Sequence, residues 1–217
     1  MKQLLQVAGM AGLMTMSLTA CSQDTIVMIR TSLGDIKVKL YSSAPLHTNN
    51  FLKLVNEGFY DSLLFHRAID GFMIQGGDPQ SKEAEPSARL GMGDVGYTIP
   101  NEFDSTVAHK RGALCAARGN DPQYATSGCQ FYIVQAGPKS DVELNQMEMQ
   151  AGKKFPSEHR EIYRTTGGTP HLWLYEFTVF GEVVEGMDVV DKIAALPRDE
   201  FDRPLEDVRM FVEVARK

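Results

Sequence analysis

The stretch Phe65-His66-Arg67-Ala68-Ile69-Asp70-Gly71-Phe72-Met73-Ile74-Gln75-Gly76-Gly77-Asp78 constrains this chain more than any other. Phe65, Arg67 and Ile69 occupy alternate positions, and Phe72 and Ile74 do so again beyond Gly71. A period of two marks a strand with one buried face, and a glycine between two such runs permits a tight turn. The pattern predicts two strands that bring Arg67 near Phe72, Met73 and Gln75. Arginine stays charged and presents several donors in a planar fork, and here it stands beside an apolar patch. Strict alternation, however, sets Arg67 on the same face as Phe65 and Ile69. A local bulge is needed to turn it the other way.

The flanking segments also read as strands. Ile26-Val27-Met28-Ile29, a turn at Leu33-Gly34-Asp35, and the alternating Ile36-Lys37-Val38-Lys39-Leu40 predict a hairpin. Residues 112–117, 129–135 and 177–184 are short apolar runs, and Val208, Met210, Val212 and Val214 alternate in a final strand. Two helices belong to the same body. Pro45 to Glu57 places Phe51, Leu54 and Val55 on one face before Gly58. Met187, Val190, Ile193 and Ala194 mark the second, ended by Pro197. Many strands and two helices predict a mainly β domain, a closed β-barrel without exposed sheet edges. Residues 79–101 read as a long surface loop. Residues 138–169 read as a polar helical insertion: Ser140 and Glu143 fit a capping box, Gly152 is a stop, and Ser157 caps a second helix ending near Gly167.

Several functions are disfavoured. Lys and Arg number 22 against 28 Asp and Glu, a net charge of −6, whereas a nucleic-acid binder needs a basic footprint. Gly91-Met92-Gly93-Asp94-Val95-Gly96 fits G-x-G-x-x-G, but no strand–turn–helix surrounds it and Pro100 follows. A dinucleotide fingerprint needs a helix N-terminus there, so no nucleotide is expected. The five histidines show no H-x-x-x-H pairing, so neither a metal nor another cofactor is expected. Cys115 and Cys129 lie in apolar segments and are expected as two buried thiols rather than a disulfide.

Residues 1–20 carry Lys2 and then a short apolar stretch from Leu4 to Leu18, the form of an export signal. Leu18-Thr19-Ala20-Cys21 resembles the bacterial lipobox, in which the cysteine is lipidated and becomes the new N-terminus. The expected organisation is a lipoprotein signal peptide (1–20), a lipidated N-terminus and tether (21–25), and one domain (26–217). Ser22 rather than Asp follows the cysteine, which in lipoproteins of enteric type points to the outer membrane. The expectation is an exported protein held to a membrane by its N-terminal lipid.

The Phe65–Asp78 stretch closely resembles the cyclophilin signature. Gly112-Ala113-Leu114-Cys115-Ala116-Ala117-Arg118 resembles the family's next strand. Ser127-Gly128-Cys129-Gln130-Phe131-Tyr132-Ile133 resembles its Ser-Gln-Phe-Phe strand. Phe177-Thr178-Val179-Phe180-Gly181-Glu182-Val183, followed by Gly186-Met187, also matches. The resemblance implies an eight-stranded antiparallel β-barrel capped by two helices, with a substrate groove on its outer face. It implies a peptidyl-prolyl cis-trans isomerase that acts without a cofactor, as a monomer, on proline-containing segments of exported proteins. Arg67 takes the catalytic position. His66, Phe72, Met73, Gln75, Ala117, Arg118, Gln130, Tyr132, His171, Leu172 and Phe177 take the substrate-binding positions, and the glycine loop at Gly91–Gly96 lies near the site. The rival is a non-catalytic proline-peptide-binding or chaperone module on the same barrel. Retention of Arg67 favours the enzyme, since a binder does not need it.

Four departures stand out. Tyr132 replaces a usual Phe, and Arg118 replaces an Asn found in many members. The family's Leu-Asp-Gly turn is replaced by Leu172-Trp173-Leu174-Tyr175, so Trp173 is expected to be exposed near the groove. The 138–169 insertion is expected to be a solvated decoration in preference to a lip that selects substrates or docks a partner.

Overall fold

The computed structural model describes residues 25–86 and 88–215. The expectations for residues 1–20 and for lipidation of Cys21 lie outside the described residues. In chain order the elements are β1 (Ile26–Thr31), β2 (Gly34–Leu40), α1 (Pro45–Asn56), β3 (Leu63–Leu64), β4 (Arg67–Ile69), β5 (Met73–Gly76), β6 (Thr98–Ile99), β7 (Ala113–Ala116), β8 (Thr126–Ser127) and β9 (Phe131–Val134). There follow α2 (Asp141–Ala151), α3 (Ser157–Thr165), α4 (Pro170–Leu174), β10 (Val179–Glu185), α5 (Met187–Ala194) and β11 (Arg209–Val214).

The first hairpin forms as its alternation requires, with Val27 opposite Val38 and Ile29 opposite Ile36, all fully buried. Antiparallel pairing then extends it into a curled sheet of order β3-β11-β1-β2-β10-β7-β9-β5-β4. A separate two-stranded ribbon pairs β6 with β8. The expected closed eight-stranded barrel is not what forms. The hydrogen-bonded ladder has two ends, β3 and β4, separated by Phe65-His66. Beside that break the Phe65 amide donates to the Val208 carbonyl at 3.0 Å and the Ala68 amide to the Asp202 carbonyl at 2.9 Å.

The inner face of the sheet carries Val27, Ile29, Ile36, Val38, Leu114, Phe131, Ile133 and Met210, packed with Phe51 and Leu54 of α1 and Val190 and Ile193 of α5. Burying each such side chain contributes about 1.5–3 kcal/mol. α1 begins at Pro45, and its N-cap Ala44 offers no side-chain acceptor. The distant Glu102 carboxylate does so instead, accepting from the amides of Leu46 at 3.0 Å and His47 at 2.9 Å. Gly58, at φ 65°, follows the helix in the left-handed conformation. Cys115 and Cys129 are free and buried, as expected. Among the described residues no helix is long and apolar enough to cross a membrane.

The insertion has a core of its own. The Ser140/Glu143 capping box opens α2, and Gly152 at φ 62° ends it. α3 starts one residue earlier than expected, because Pro156 rather than Ser157 is its N-cap. Leu144, Phe155 and Tyr163 pack with Ala108 and Trp173. The buried carboxylate of Glu148 accepts from the Phe155 amide at 3.0 Å and lies 2.9 Å from Lys154 and 3.3 Å from Arg160.

Candidate active site

The site is built on the outer face of the sheet around the β4–β5 hairpin. Arg67 pairs with Gln75, and Ile69 with Met73, so these four side chains share a face. The break at Phe65-His66 supplies the bulge that alternation alone did not show. Phe65 and Ala68 enter the inner core, while Met73 and Ile69 pack in a second cluster outside it. Gly71 turns the hairpin at φ 76°, and its amide donates to Gln135 Oε1 at 2.7 Å. The Phe72 carbonyl accepts from the amides of Gln135 and Ala136, which fixes Phe72 at the end of β5.

Arg67, Phe72, Met73, Gln75, Ala117, Arg118, Tyr132, Leu172 and Phe177 line one open pocket of about 180 Å³. Each of these was expected at the site. Arg67 sits at the rim, its Nε donating to Asp202 Oδ2 at 3.3 Å. Asp202 also lies 3.4 Å from Arg198 Nε. Tyr132 meets Phe177 edge-on, with ring centres 6.3 Å apart. Arg118 is held from both sides, its guanidinium 4.1 Å from the Phe177 ring centre and 4.6 Å from that of Tyr124. It donates to the carbonyls of Tyr175 at 2.8 Å and Glu176 at 3.3 Å.

Three expected residues do not line this pocket. Gln130 is buried beside it. Its Oε1 accepts from Gln75 Nε2 at 3.0 Å, and its own Nε2 donates to the carbonyls of Gly93 at 2.7 Å and Gly91 at 3.1 Å. It orients Gln75 and fastens the glycine loop. Asp78 holds the same loop through the amides of Gly91 and Gly93. His66 is buried in the break between β3 and β4, against Gly91. Burial pushes its pKa down to about 4, with Arg67 and Arg203 adding to the effect and Asp78 opposing it. His171 stacks behind Phe72 at 5.6 Å between ring centres. Burial lowers its pKa as well, and Lys139 adds to this.

The altered turn is resolved as the short helix α4 followed by Glu176 in the left-handed region, φ 59°. The Phe177 amide donates to the Leu172 carbonyl at 3.1 Å, which closes the pocket wall. Trp173 corrects the sequence expectation. It is 2% exposed rather than solvent-facing. In a helix, successive side chains diverge by about 100°, so Leu172 can face the pocket while Trp173 packs on the insertion. The signal in the sequence was Pro170, well suited to the first turn of a helix. Asp202, Gln135 and Asp78 were missed. Asp202 reaches Arg67 from far along the chain, and no local pattern announces it.

The pocket can hold a small apolar ring under a fixed charged donor. Of its lining residues and their neighbours, burial raises the Tyr132 phenol and the adjacent Cys115 thiol well above their ordinary ranges. Among the described residues no group of three or more His, Cys, Asp or Glu is placed to hold a metal ion.

The family model for the cyclophilin type peptidyl-prolyl cis-trans isomerase/CLD matches residues 26–214. A protein of Staphylococcus aureus (strain USA300) named as a peptidyl-prolyl cis-trans isomerase is 35% identical over 187 residues, covering 84% of this chain and 87% of that protein. A protein of Streptococcus pyogenes serotype M6 named as a bifunctional phosphatase/peptidyl-prolyl cis-trans isomerase is 37% identical over 185 residues, but these span 37% of that longer protein. The crystal structure of a Cryptosporidium parvum cyclophilin type peptidyl-prolyl cis-trans isomerase shares the fold, with a TM-score of 0.61 at 23% identity. The match covers 89% of this chain and 99% of that one. With a family model matched over nearly every described residue and an outer-face pocket around Arg67, this chain belongs to the cyclophilin-type peptidyl-prolyl cis-trans isomerases.

Proposed function

We propose that the chain turns X-Pro bonds of exported polypeptides between cis and trans, with Arg67 as the catalytic residue. Phe72, Met73, Tyr132, Leu172 and Phe177 receive the proline ring. Gln75 and the backbone at Ala117 and Arg118 hold the flanking peptide. The imide resists rotation because of its resonance, and uncatalysed isomerisation takes tens to hundreds of seconds. At the twisted transition state the proline nitrogen pyramidalises and gains a lone pair. A donor fixed above the ring binds that state better than either planar one, which is what accelerates the step. The carrying observation is that Arg67 stands at the rim of the apolar pocket with its Nε edge engaged by Asp202. A crystal structure of the Cryptosporidium parvum relative was obtained in the presence of the dipeptide Ala-Pro, which supports a proline-peptide ligand here.

The finer readings rest on the sequence. Leu18-Thr19-Ala20-Cys21 supports a lipid at Cys21 and a client pool of exported proteins, Ser22 after the cysteine supports an outer-membrane location, and the family resemblance supports a monomer.

The test is isomerisation of a short X-Pro peptide by the chain starting at Ser22, run beside a melting curve. Arg67→Ala should lose about two decades of rate, since each tenfold corresponds to about 1.4 kcal/mol. Its fold should lose less than about 1 kcal/mol, the range of exposed ion pairs. Arg67→Lys should recover only part of the rate, because an ammonium lacks the fork. Near wild-type activity in Arg67→Ala, or peptide binding by the unmutated chain without acceleration, would favour the binding module. For the anchor, Cys21→Ser should release the protein from the membrane fraction and lower its mass by the lipid.

A further inference from the structure

The pocket-wall residues Leu172 and Phe177 bracket a segment whose other side chains reach away from the pocket. Trp173, next to Leu172, is buried among Leu144, Phe155 and Tyr163. Its ring lies 5.7 Å from Phe155 and 5.3 Å from His159 between centres. Glu176, next to Phe177, accepts from Lys153 Nζ at 3.1 Å. The same ammonium stands 4.7 Å from the centre of the Trp173 ring. Lys153 directly follows the left-handed Gly152 that ends α2, so it is placed by the insertion's own fold. A further tie runs from Tyr163, whose hydroxyl accepts from the His109 amide at 3.1 Å. The His109 carbonyl in turn accepts from the Thr169 amide at 2.9 Å, immediately before α4. No residue of 138–169 is among those lining the pocket.

The wall held this way cannot hold itself. α4 has five residues, far below the ~12–15 an isolated helix needs in water. Glu176 sits at φ 59° without being glycine, a conformation that persists only where its surroundings fix it. The insertion packs on α4 through Trp173 and holds the Glu176 side chain through Lys153, while Asn101 and Arg118 donate to the Glu176 carbonyl. A wall that must be ordered by its ligand binds that ligand more weakly, because ordering opposes association.

We infer that the insertion is a brace: it sets the Leu172–Phe177 wall from behind, with Trp173 and Lys153 as positioning residues for substrate binding. This rests on the isomerase reading above and deepens it, replacing both the decoration and the lip with a support on the far side of α4. Neither residue touches substrate, and neither contacts Arg67. Loosening the brace should therefore weaken binding and spare the rotation step.

The experiment measures KM and kcat for an X-Pro peptide, with Kd for the same peptide by titration, in six variants. Lys153→Ala and Glu176→Gln should each raise KM and Kd about two- to fivefold at unchanged kcat, the range of an exposed ion pair. Their double variant should be no worse than either alone. Trp173→Ala should raise both by about tenfold, as a slightly displaced wall does, and Trp173→Phe should restore most of the loss. Lys154→Ala is the control, since Lys154 pairs with Glu148 inside the insertion, and it should change neither constant. If Trp173→Ala does not fold, Lys153→Ala, Glu176→Gln and Trp173→Phe still decide. Unchanged KM and Kd in Lys153→Ala and Glu176→Gln, with cooperative melting, overturn the brace. A fall in kcat alone does so too. An unmutated chain that binds the peptide without isomerising it overturns the isomerase reading, and Kd across the variants then decides the brace by itself.

Discussion

Mild acid should destabilise this fold in a window set by histidines rather than carboxylates. His66 is 3% exposed and His109 fully buried. Burial pushes His66 from 6.5 down to about 4, with Asp78 opposing and Arg67 and Arg203 reinforcing the shift. Burial pushes His109 from 6.5 to about 3, and the nearby His171 and His159 add to it. Once the chain unfolds, both rings regain their ordinary affinity for protons. Between 6.5 and the folded values the unfolded state therefore binds protons that the native state refuses. Stability is fully present above 6.5 and falls as the pH drops below it. At pH 5 each histidine contributes a loss of about 2 kcal/mol, so the pair costs about 4 kcal/mol. That is a large share of the ~5–15 kcal/mol available to a typical domain. Carboxylates whose pKa is already held low, such as Glu148 beside Lys154 and Glu182 beside Lys110 and Lys39, lose their contribution only at lower pH. The assay is chemical denaturation at several values between about pH 7.5 and 5. The slope of ΔG against pH should correspond to uptake of about two protons or more on unfolding. His66→Asn and His109→Asn should each flatten it by about one proton, whatever they do to stability at pH 7.5. A flat ΔG across the window, or a slope unaffected by both substitutions, would show that these rings are not held neutral by the fold.

Other contacts give equally direct tests. Glu102→Ala removes the acceptor for two α1 amides and for His47 Nδ1 at 2.6 Å; it should cost about 2–4 kcal/mol in denaturant, and a loss under about 1 kcal/mol would refute the remote-cap reading. Gly77 is at φ 95°, and a methyl there would enter the Cys129 carbonyl; Gly77→Ala should cost on the order of 2–3 kcal/mol, read as a lowered melting temperature. Asp202→Ala should slow isomerisation about two- to fivefold and have no further effect in an Arg67→Ala background, where additive losses would break the proposed link. Burial raises Cys129 to about 11 and Cys115 further still; a thiol reagent should react with neither until the chain unfolds, and rapid native-state labelling would contradict this.

What the sequence disclosed divides along physical lines. Elements with one buried face were readable, because their periodicity records that burial: the β1–β2 hairpin, α1 with Phe51 and Leu54, and α5 with Val190 and Ile193. The pocket residues were readable only by resemblance, since they come from separated segments that no local period connects. The outward turn of Arg67 was not readable, because the break at Phe65-His66 contains neither glycine nor proline. Trp173 was misjudged because a turn was assumed where a short helix forms, and a helix distributes neighbouring side chains over different faces. Partners such as Asp202 for Arg67 and Glu102 for α1 were invisible, being fixed by tertiary geometry alone.

The pocket lies on the outside of the sheet and is open to solvent, with room for little more than one ring and its immediate neighbours. A client therefore never has to be threaded or enclosed. The chain on either side of the proline can remain packed in its own partly formed domain while the bond turns. The client's obligation is only to present one proline on an accessible loop. Under the proposed function, late folding intermediates whose remaining defect is a single wrong isomer would be as suitable substrates as unstructured chains.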